Sequence, residues 1–430
     1  MLEPLEGMTV VEMTIAVQGP AAGLYLRDMG AQVIKVEPPL GDGSRYGRGR
    51  FNDTPEGTMG AQFVAANRGK RSVCIDLTTD LGMRALHALL VKADVFLTNY
   101  REPALQKMGL GFETLHAAYP QLVYASVNGF GPEGPDADKA MLDGAAVARG
   151  GLAGMTGPAD HPPSLPGAII ADTAGAMQLA LATMTALLAR ERFGGGQRVQ
   201  TSALGTQLWL QQWELTQVAM TGAPIARSGS HHPNLKGPYG IYRTADDGAI
   251  MLAQTMESDA WDAFCTFADV PELAFDARLQ TAGQRLGEGM SEVDSVEIRA
   301  SLKAAFAQKT TAQWSAFLRT QPEIIWEQVR SLPEVLEDEQ NLANNYLADV
   351  QVPGLGSTRT VGNVVHLSGT PGSVKGDPPE LGEANQEVLA SLGFTDVQIN
   401  EMTSRATTVR EEAFALLLGA QVSGTQADEP

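Results

Sequence analysis

Two short apolar runs separated by a helix-length stretch constrain the fold before anything else does. Thr9-Val10-Val11-Glu12-Met13 and Gln32-Val33-Ile34-Lys35-Val36 carry the β-branched content of strands. Between them Pro20 opens the helical stretch AAGLYLRDM, which stops at Gly30. Strands joined by a crossover helix lie parallel. The chain therefore reads as an α/β protein built on a parallel sheet. Further strands are predicted at 72–77, 94–98, 122–127 and 197–201, with a helix over 81–91. Open parallel sheets bind ligands beyond the carboxyl ends of their strands. Ala16-Val17-Gln18 falls at that place after the first strand. Asn99-Tyr100-Arg101 falls there after the strand at 94–98, and Lys107 follows on a short helix. Gln18 can both donate and accept hydrogen bonds, although a plain loop amide is the simpler reading of it.

The most distinctive later stretch is PGAIIADTAGAMQLALATMTALLARER, residues 166–192. Asp172 is the one charge in its small, apolar opening. A long helical pattern runs from Met177 to Arg192 and ends at Gly194-Gly195-Gly196. A carboxylate at or near a helix N-terminus is stabilised by exposed N–H groups and the helix dipole. Two readings stand: an N-cap, or an ionisable group placed in an apolar cleft for chemistry.

The net charge of −19 argues against a nucleic-acid partner but leaves room for a local anion site. Only Cys74 and Cys265 are present, which fits a reducing compartment and offers no thiol metal site. No signal peptide or membrane-spanning run is visible, so a cytoplasmic protein without membrane association is expected. Asn67-Arg68-Gly69-Lys70-Arg71 places three cations in four residues beside a glycine. That suggests a phosphate site, against the commoner alternative of a solvated basic turn. Residues 38–67, rich in Gly, Arg and Pro, read as a long functional loop. Gly129-Phe130-Gly131-Pro132-Glu133-Gly134 matches a dinucleotide fingerprint formally, but it comes late in the fold and Pro135 follows it. His231-His232 has no partner at metal-ligand spacing. Trp209 and Trp213, at i and i+4 of a helix over 204–220, read as packing residues. A hairpin around Asp246-Asp247-Gly248 marks a change of character. The expected division is a large domain over 1–224, a small α+β domain over 225–325, a linker and return to the large domain over 326–418, and a disordered tail over 419–430.

Several stretches, taken together and in order, resemble the class III CoA-transferase family, which includes the formyl-CoA:oxalate and carnitine CoA-transferases. They are GPAAGLYLRDMGAQVIKVEPPLGD (19–42), NRGKRSVCIDL (67–77), ADVFLTNYREPALQKMGLGFETL (93–115), PQLVYASVNGFGPEGP (120–135), ADTAGAMQLALATMTALLARERFGGGQRVQTS (171–202) and PPELGEANQEVLASLGF (378–394). The resemblance implies a Rossmann-like large domain, a small domain and an interlocked homodimer. It implies acyl-CoA and a free carboxylic acid as substrates, with no permanently bound cofactor and no metal. Asp172 falls at the family's catalytic aspartate, and Gln18 matches a glutamine beside it. Val17, Asn67, Lys70, Arg71, Asn99, Tyr100, Lys107 and Lys139 fall on segments that hold CoA. Two departures stand out. The stretch SGSHHPNLKGPYG lacks the glycine run that shields the intermediate in some formyl-CoA transferases. Leu142 stands before Asp143 where the α-methylacyl-CoA racemases of the same fold carry histidine, and leucine cannot take an α-proton. Transfer is thus favoured over the alternatives, an acyl-CoA racemase or isomerase and a non-catalytic CoA-binding protein.

Overall fold

In the computed structural model, which describes residues 2–46, 54–55 and 57–424 (side chains to 416), the predicted strands assemble into one sheet. They are Thr9–Met13 (β1), Gln32–Glu37 (β2), Arg71–Cys74 (β3), Val95–Thr98 (β4), Val123–Asn128 (β5) and Arg198–Ser202 (β6). Their order is β3-β2-β1-β4-β5-β6 and every neighbouring pair is parallel. The order reverses between β1 and β4, which creates a crevice at their carboxyl ends.

Strand side chains alternate between two apolar layers. Val11, Phe96 and Tyr124 join one layer, completed by the helices Asp80–Val91 and Asn385–Ser391. Val10, Val95, Leu97 and Val123 join the other, against the helices Gln18–Asp28 and Ile170–Phe193. Covering both faces explains why these strands read as nearly continuous apolar runs. The last two helices approach closely because their contact faces are small. Ala22 on one is buried, as are Gly175, Ala176 and Ala180 on the other, and a Cβ on Gly175 would meet the Gln18 side chain.

The chain divides into two units, one comprising Met1–Gly150, Ala168–Leu210 and Leu336–Pro430, the other Gly151–Gly167 and Gln211–Val335. The second unit has a three-stranded antiparallel sheet, Gly240–Arg243 (β7), Ala249–Thr255 (β8) and Ile324–Gln328 (β9). The β7–β8 hairpin turns at Asp247, which has φ 60°. Its core is aromatic: Phe306 and Trp314 stack at 4.1 Å, and Trp261 and Phe264 are buried beside them.

These boundaries differ from the sequence expectation for physical reasons. The predicted small domain stops at residue 325, yet β9 completes its sheet and runs to Gln328. The predicted helix over 204–220 is two helices, Ala203–Leu210 and Gln212–Thr221, and the division between units falls at their break. Residues 151–167 belong with the second unit through backbone contacts. Gly229 N–H donates to Gly157 O, and the Arg227 guanidinium donates to the carbonyls of Pro158, Ala159 and His161. Of the predicted loop 38–67, the described parts include a 3-10 turn, Gly43–Arg45, and a helix, Ala61–Asn67. Residues 47–53 and 56 of that loop lie outside the described residues. The final helix, Asp396–Gly424, continues into the stretch expected to be a disordered tail, and residues 425–430 lie outside the described residues.

Candidate active site

Asp172 is the third residue of the helix Ile170–Phe193, inside its first turn and not at its cap. The cap position, Ile169, contributes no side-chain hydrogen bond. Instead Asp143, first residue of the helix Asp143–Arg149, accepts the N–H groups of Ala171 (2.7 Å) and Asp172 (3.1 Å) on its Oδ1. The N-cap reading of Asp172 is thereby corrected: a carboxylate distant in sequence satisfies those N–H groups. Burial of the Asp172 carboxyl, and then the negative charge of Asp143, push its pKa up to about 6. A carboxylate of this kind is ionised at neutral pH and is a better nucleophile than an ordinary one.

Gln18 is the first residue of the helix Gln18–Asp28 and is buried. Its Nε2 has no hydrogen-bond partner among the described residues. A Cβ added to Gly175 would stand 2.3 Å from that nitrogen. Gly175 lies about one helical turn beyond Asp172, so the Gln18 amide lies against the helix face that carries Asp172. A buried donor without a partner costs free energy, and here it is available to a substrate oxygen.

The loop that delivers Gln18 is held residue by residue. Lys35 Nζ donates to Thr14 O at 3.0 Å. Asn99 brackets Ile15, accepting its N–H at 2.9 Å and donating to its carbonyl at 2.8 Å. Asp42 accepts Ala16 N–H at 3.2 Å. Ala16 has φ 64°, a conformation that non-glycine residues adopt at a cost, and the clamp offsets that cost. Asn99 thus joins β4 to the loop after β1 across the crevice, while Val17 and Tyr100, both half-buried, flank it.

The basic motif does not form a phosphate cradle from its side chains. Lys70 Nζ is buried and donates to Glu12 (3.0 Å), Pro20 O (2.7 Å) and Asn67 Oδ1 (3.0 Å). Burial draws its pKa down to about 8, against the pull of Glu12. Asn67 is buried too and donates to Phe63 O. Arg68 makes a bidentate pair with Asp28 at 2.5 and 2.6 Å. Arg71 pairs with Glu387 in the returning C-terminal segment at 2.6 Å. The Asn67 and Lys70 side chains are therefore engaged within the protein, and neither they nor Arg68 form the solvated basic turn of the alternative. The accessible cations lie elsewhere. Lys107 ends the helix Glu102–Lys107 and is exposed. Lys139 and Arg149 face the Phe130 ring at 5.5 and 5.0 Å. Leu142, the residue before Asp143, is 82% exposed and supplies no base.

In the second unit, the segment without a glycine run is pinned by imidazole contacts. Trp213 stacks on His232 at 5.2 Å, and His232 Nε2 lies 3.4 Å from Glu214. Trp213 is otherwise half exposed and Trp209 more so, so neither is the packing residue the sequence suggests. Among the described residues, no group of three His, Cys, Asp or Glu side chains could hold a metal ion, and no helix is long and apolar enough to cross a membrane.

Residues 5–385 match the profile of CoA-transferase family III. The chain belongs to that family. As a family III CoA-transferase it is similar to the succinyl-CoA–D-citramalate CoA-transferase of Chloroflexus aurantiacus, with 34% identity over 91% of this chain and 95% of that one. It is 32% identical to the succinyl-CoA:glutarate CoA-transferase of Mus musculus over 91% of this chain and 87% of that protein. Among solved structures, a CAIB/BAIF family protein from Brucella suis superposes with a TM-score of 0.80 at 29% identity, covering 91% of this chain and all of the other. The mixed α/β fold with its parallel central sheet is that of this family.

Proposed function

We propose that Asp172 carries the acyl group and then CoA during transfer between two carboxylic acids. The observation that supports this most directly is the pairing of a half-buried carboxylate of raised pKa with the unpartnered amide of Gln18. Asp172 attacks the thioester carbonyl and expels CoA thiolate, leaving a mixed anhydride. The thiolate attacks the aspartyl carbonyl, releases the first acid as its carboxylate, and leaves an aspartyl-CoA thioester. The incoming carboxylate attacks that thioester and frees the thiolate again. The thiolate then takes the new acyl group and restores Asp172. Every leaving group is a stabilised anion, so the cycle consumes no water and needs no proton donor. The Gln18 amide donates to the oxygen that becomes negative at each addition.

The acyl-CoA lies, on this reading, at the carboxyl edge of a Rossmann-like sheet, beside Val17, Asn99 and Tyr100. Lys107 and Lys139 serve its phosphates. Similar proteins are named for succinyl-CoA, which makes succinyl-CoA the first donor to test. A matrix of acyl-CoA donors and carboxylic acids, read by mass spectrometry, should show paired exchange. Hydroxylamine added during turnover should leave a hydroxamate on the peptide containing Asp172. Deuterium entering the α-carbon without exchange of CoA between acids would move the assignment to a racemase.

The proposal includes a homodimer. Met177, Leu181 and Leu188, on the helix Ile170–Phe193, are 64%, 55% and 59% exposed. Apolar residues on both faces of a surface helix call for a covering partner. Light scattering at micromolar concentration should give twice the chain mass; a stable monomer would remove the dimer from the proposal.

A further inference from the structure

Asp42 has no role in the transfer steps, yet it is buried and both of its oxygens are used where the active-site loop is anchored. It precedes the 3-10 turn Gly43–Arg45. Its Oδ1 accepts Ala16 N–H at 3.2 Å, Ser44 N–H at 3.0 Å and the Ser44 hydroxyl at 2.8 Å. Its Oδ2 lies 3.1 Å from Lys35 Nζ. Burial by itself would raise the Asp42 pKa; the Lys35 charge, then the Ser44 and Ala16 donors, hold it below the ordinary aspartate value. Asp42 is therefore a carboxylate at neutral pH.

The sheet fixes Asp42 in turn. Its N–H donates to Glu37 at 3.0 Å. Glu37 is gripped by the Arg45 guanidinium at 2.6 and 2.8 Å and by the Ser72 hydroxyl at 2.6 Å. Lys35 and Glu37 both stand on β2. At the other end of the contact is Ala16, whose φ of 64° places a residue with a Cβ in the left-handed region. Glycine adopts that conformation readily and alanine does not. Ala16 lies two residues before Gln18, so its backbone sets where the helix Gln18–Asp28 begins.

We infer that Asp42 is a positioning residue for the transfer. Backed by Lys35, it holds Ala16 in the left-handed conformation and so keeps the Gln18 amide against the helix face that carries Asp172. This rests on the donor role proposed for Gln18. A carboxylate suits the place because it accepts on both oxygens. An amide there would turn its NH2 toward either the Lys35 ammonium or the Ala16 N–H.

Kinetics with the donor and acid that show paired exchange, and titration with CoA alone, test this on the full chain. Asp42→Ala should lower kcat about 10–100-fold, with a smaller change in the affinity for CoA. Asp42→Asn should fall between it and the parent; being close to Asp42 in shape, it carries the same comparisons if the alanine variant does not fold. Gln18→Ala should lower kcat about 10²–10³-fold. Asp42→Ala should add less than about threefold to that loss, because it acts through the amide already removed. Ala16→Gly, added to Asp42→Ala, should restore kcat about tenfold, because glycine needs no holder. A residue that only stabilises the fold would add its full effect to Gln18→Ala and gain nothing from glycine at position 16. Deuterium exchange of the peptide spanning 14–18, with no substrate present, should be faster in both Asp42 variants. Parental kcat in both Asp42 variants, full additivity with Gln18→Ala, no recovery on Ala16→Gly, or parental exchange at 14–18 would overturn the inference. Parental kcat in Gln18→Ala, read with Asp42 intact, would instead overturn the donor role of Gln18, so the two failures are told apart.

Discussion

Asp172→Asn is expected to lose about 10³-fold or more of its turnover while becoming more stable at neutral pH. Asparagine removes the nucleophilic oxygen. It leaves the helix start intact, because Asp143 and not Asp172 accepts the N–H groups there. The stability gain follows from the direction of the pKa shift. The folded-state value, about 6, lies above the ordinary aspartate value of 3.8. The stability contributed by the protonated group is full below the unfolded pKa and is lost as pH rises through the folded one. At neutral pH the ionised carboxylate therefore costs on the order of 1–3 kcal/mol. Asp172→Asn should melt higher than the parent at pH 8 and equally at pH 4, by calorimetry at the two values. In the parent enzyme the same titration should make kcat/KM for the acyl-CoA donor rise with pH up to about 6 and level off above it, since only the carboxylate attacks. Asp143→Asn keeps an acceptor for the two N–H groups and removes the neighbouring charge, so the inflection should move down. It should stay above the ordinary carboxylate range, because burial is the larger cause. An Asp172→Asn enzyme that turns over, verified free of conversion back to aspartate, would end the covalent proposal.

Lys70→Ala should destabilise the large unit by about 3–5 kcal/mol, because it strips a buried carboxylate of a partner and opens a gap beneath the active-site loop. Glu12 is buried between Lys70 and Lys35, with ion-pair distances of 2.7 and 3.3 Å. Lys35 alone would have to serve Glu12, Asp42 and the Thr14 carbonyl. Arg71→Ala, by contrast, should cost less than about 1 kcal/mol, since its partner Glu387 is largely exposed. Urea unfolding of both variants, together with KM for the acyl-CoA donor, distinguishes scaffold from phosphate site. A Lys70→Ala enzyme with the parent's unfolding midpoint and a raised KM would restore Lys70 to the binding surface.

The contrast between these residues shows what local pattern carries. The strands of the sheet were legible because burial on both faces writes long apolar runs into the chain. Asp172 stood out because one charge in a stretch of small apolar residues is conspicuous at any level of description. Gln18 could be placed at a strand's carboxyl end from the β-α-β order, but its lack of a partner could not be read there. The place the amide occupies depends on Gly175, 157 positions away, having no Cβ where the nitrogen lies.

Charge is where the sequence carried least. Asn67-Arg68-Gly69-Lys70-Arg71 has the composition of a phosphate loop, yet Arg68, Lys70 and Arg71 are taken by Asp28, Glu12 and Glu387. Those acids are far away along the chain, and an ion pair leaves no local signature. Asp143 as the acceptor for the helix carrying Asp172 was hidden for the same reason, as was the boundary at Gln211, which no glycine or proline announces. The sequence alone determined the parallel α/β plan, the family and the position of Asp172 as a lone charge among small apolar residues, because periodicity, order and local composition are written in neighbouring residues. Which cations are free, what sets the Asp172 pKa and where the second unit begins were decided only in the tertiary structure, because each depends on which distant side chains share one low-dielectric space.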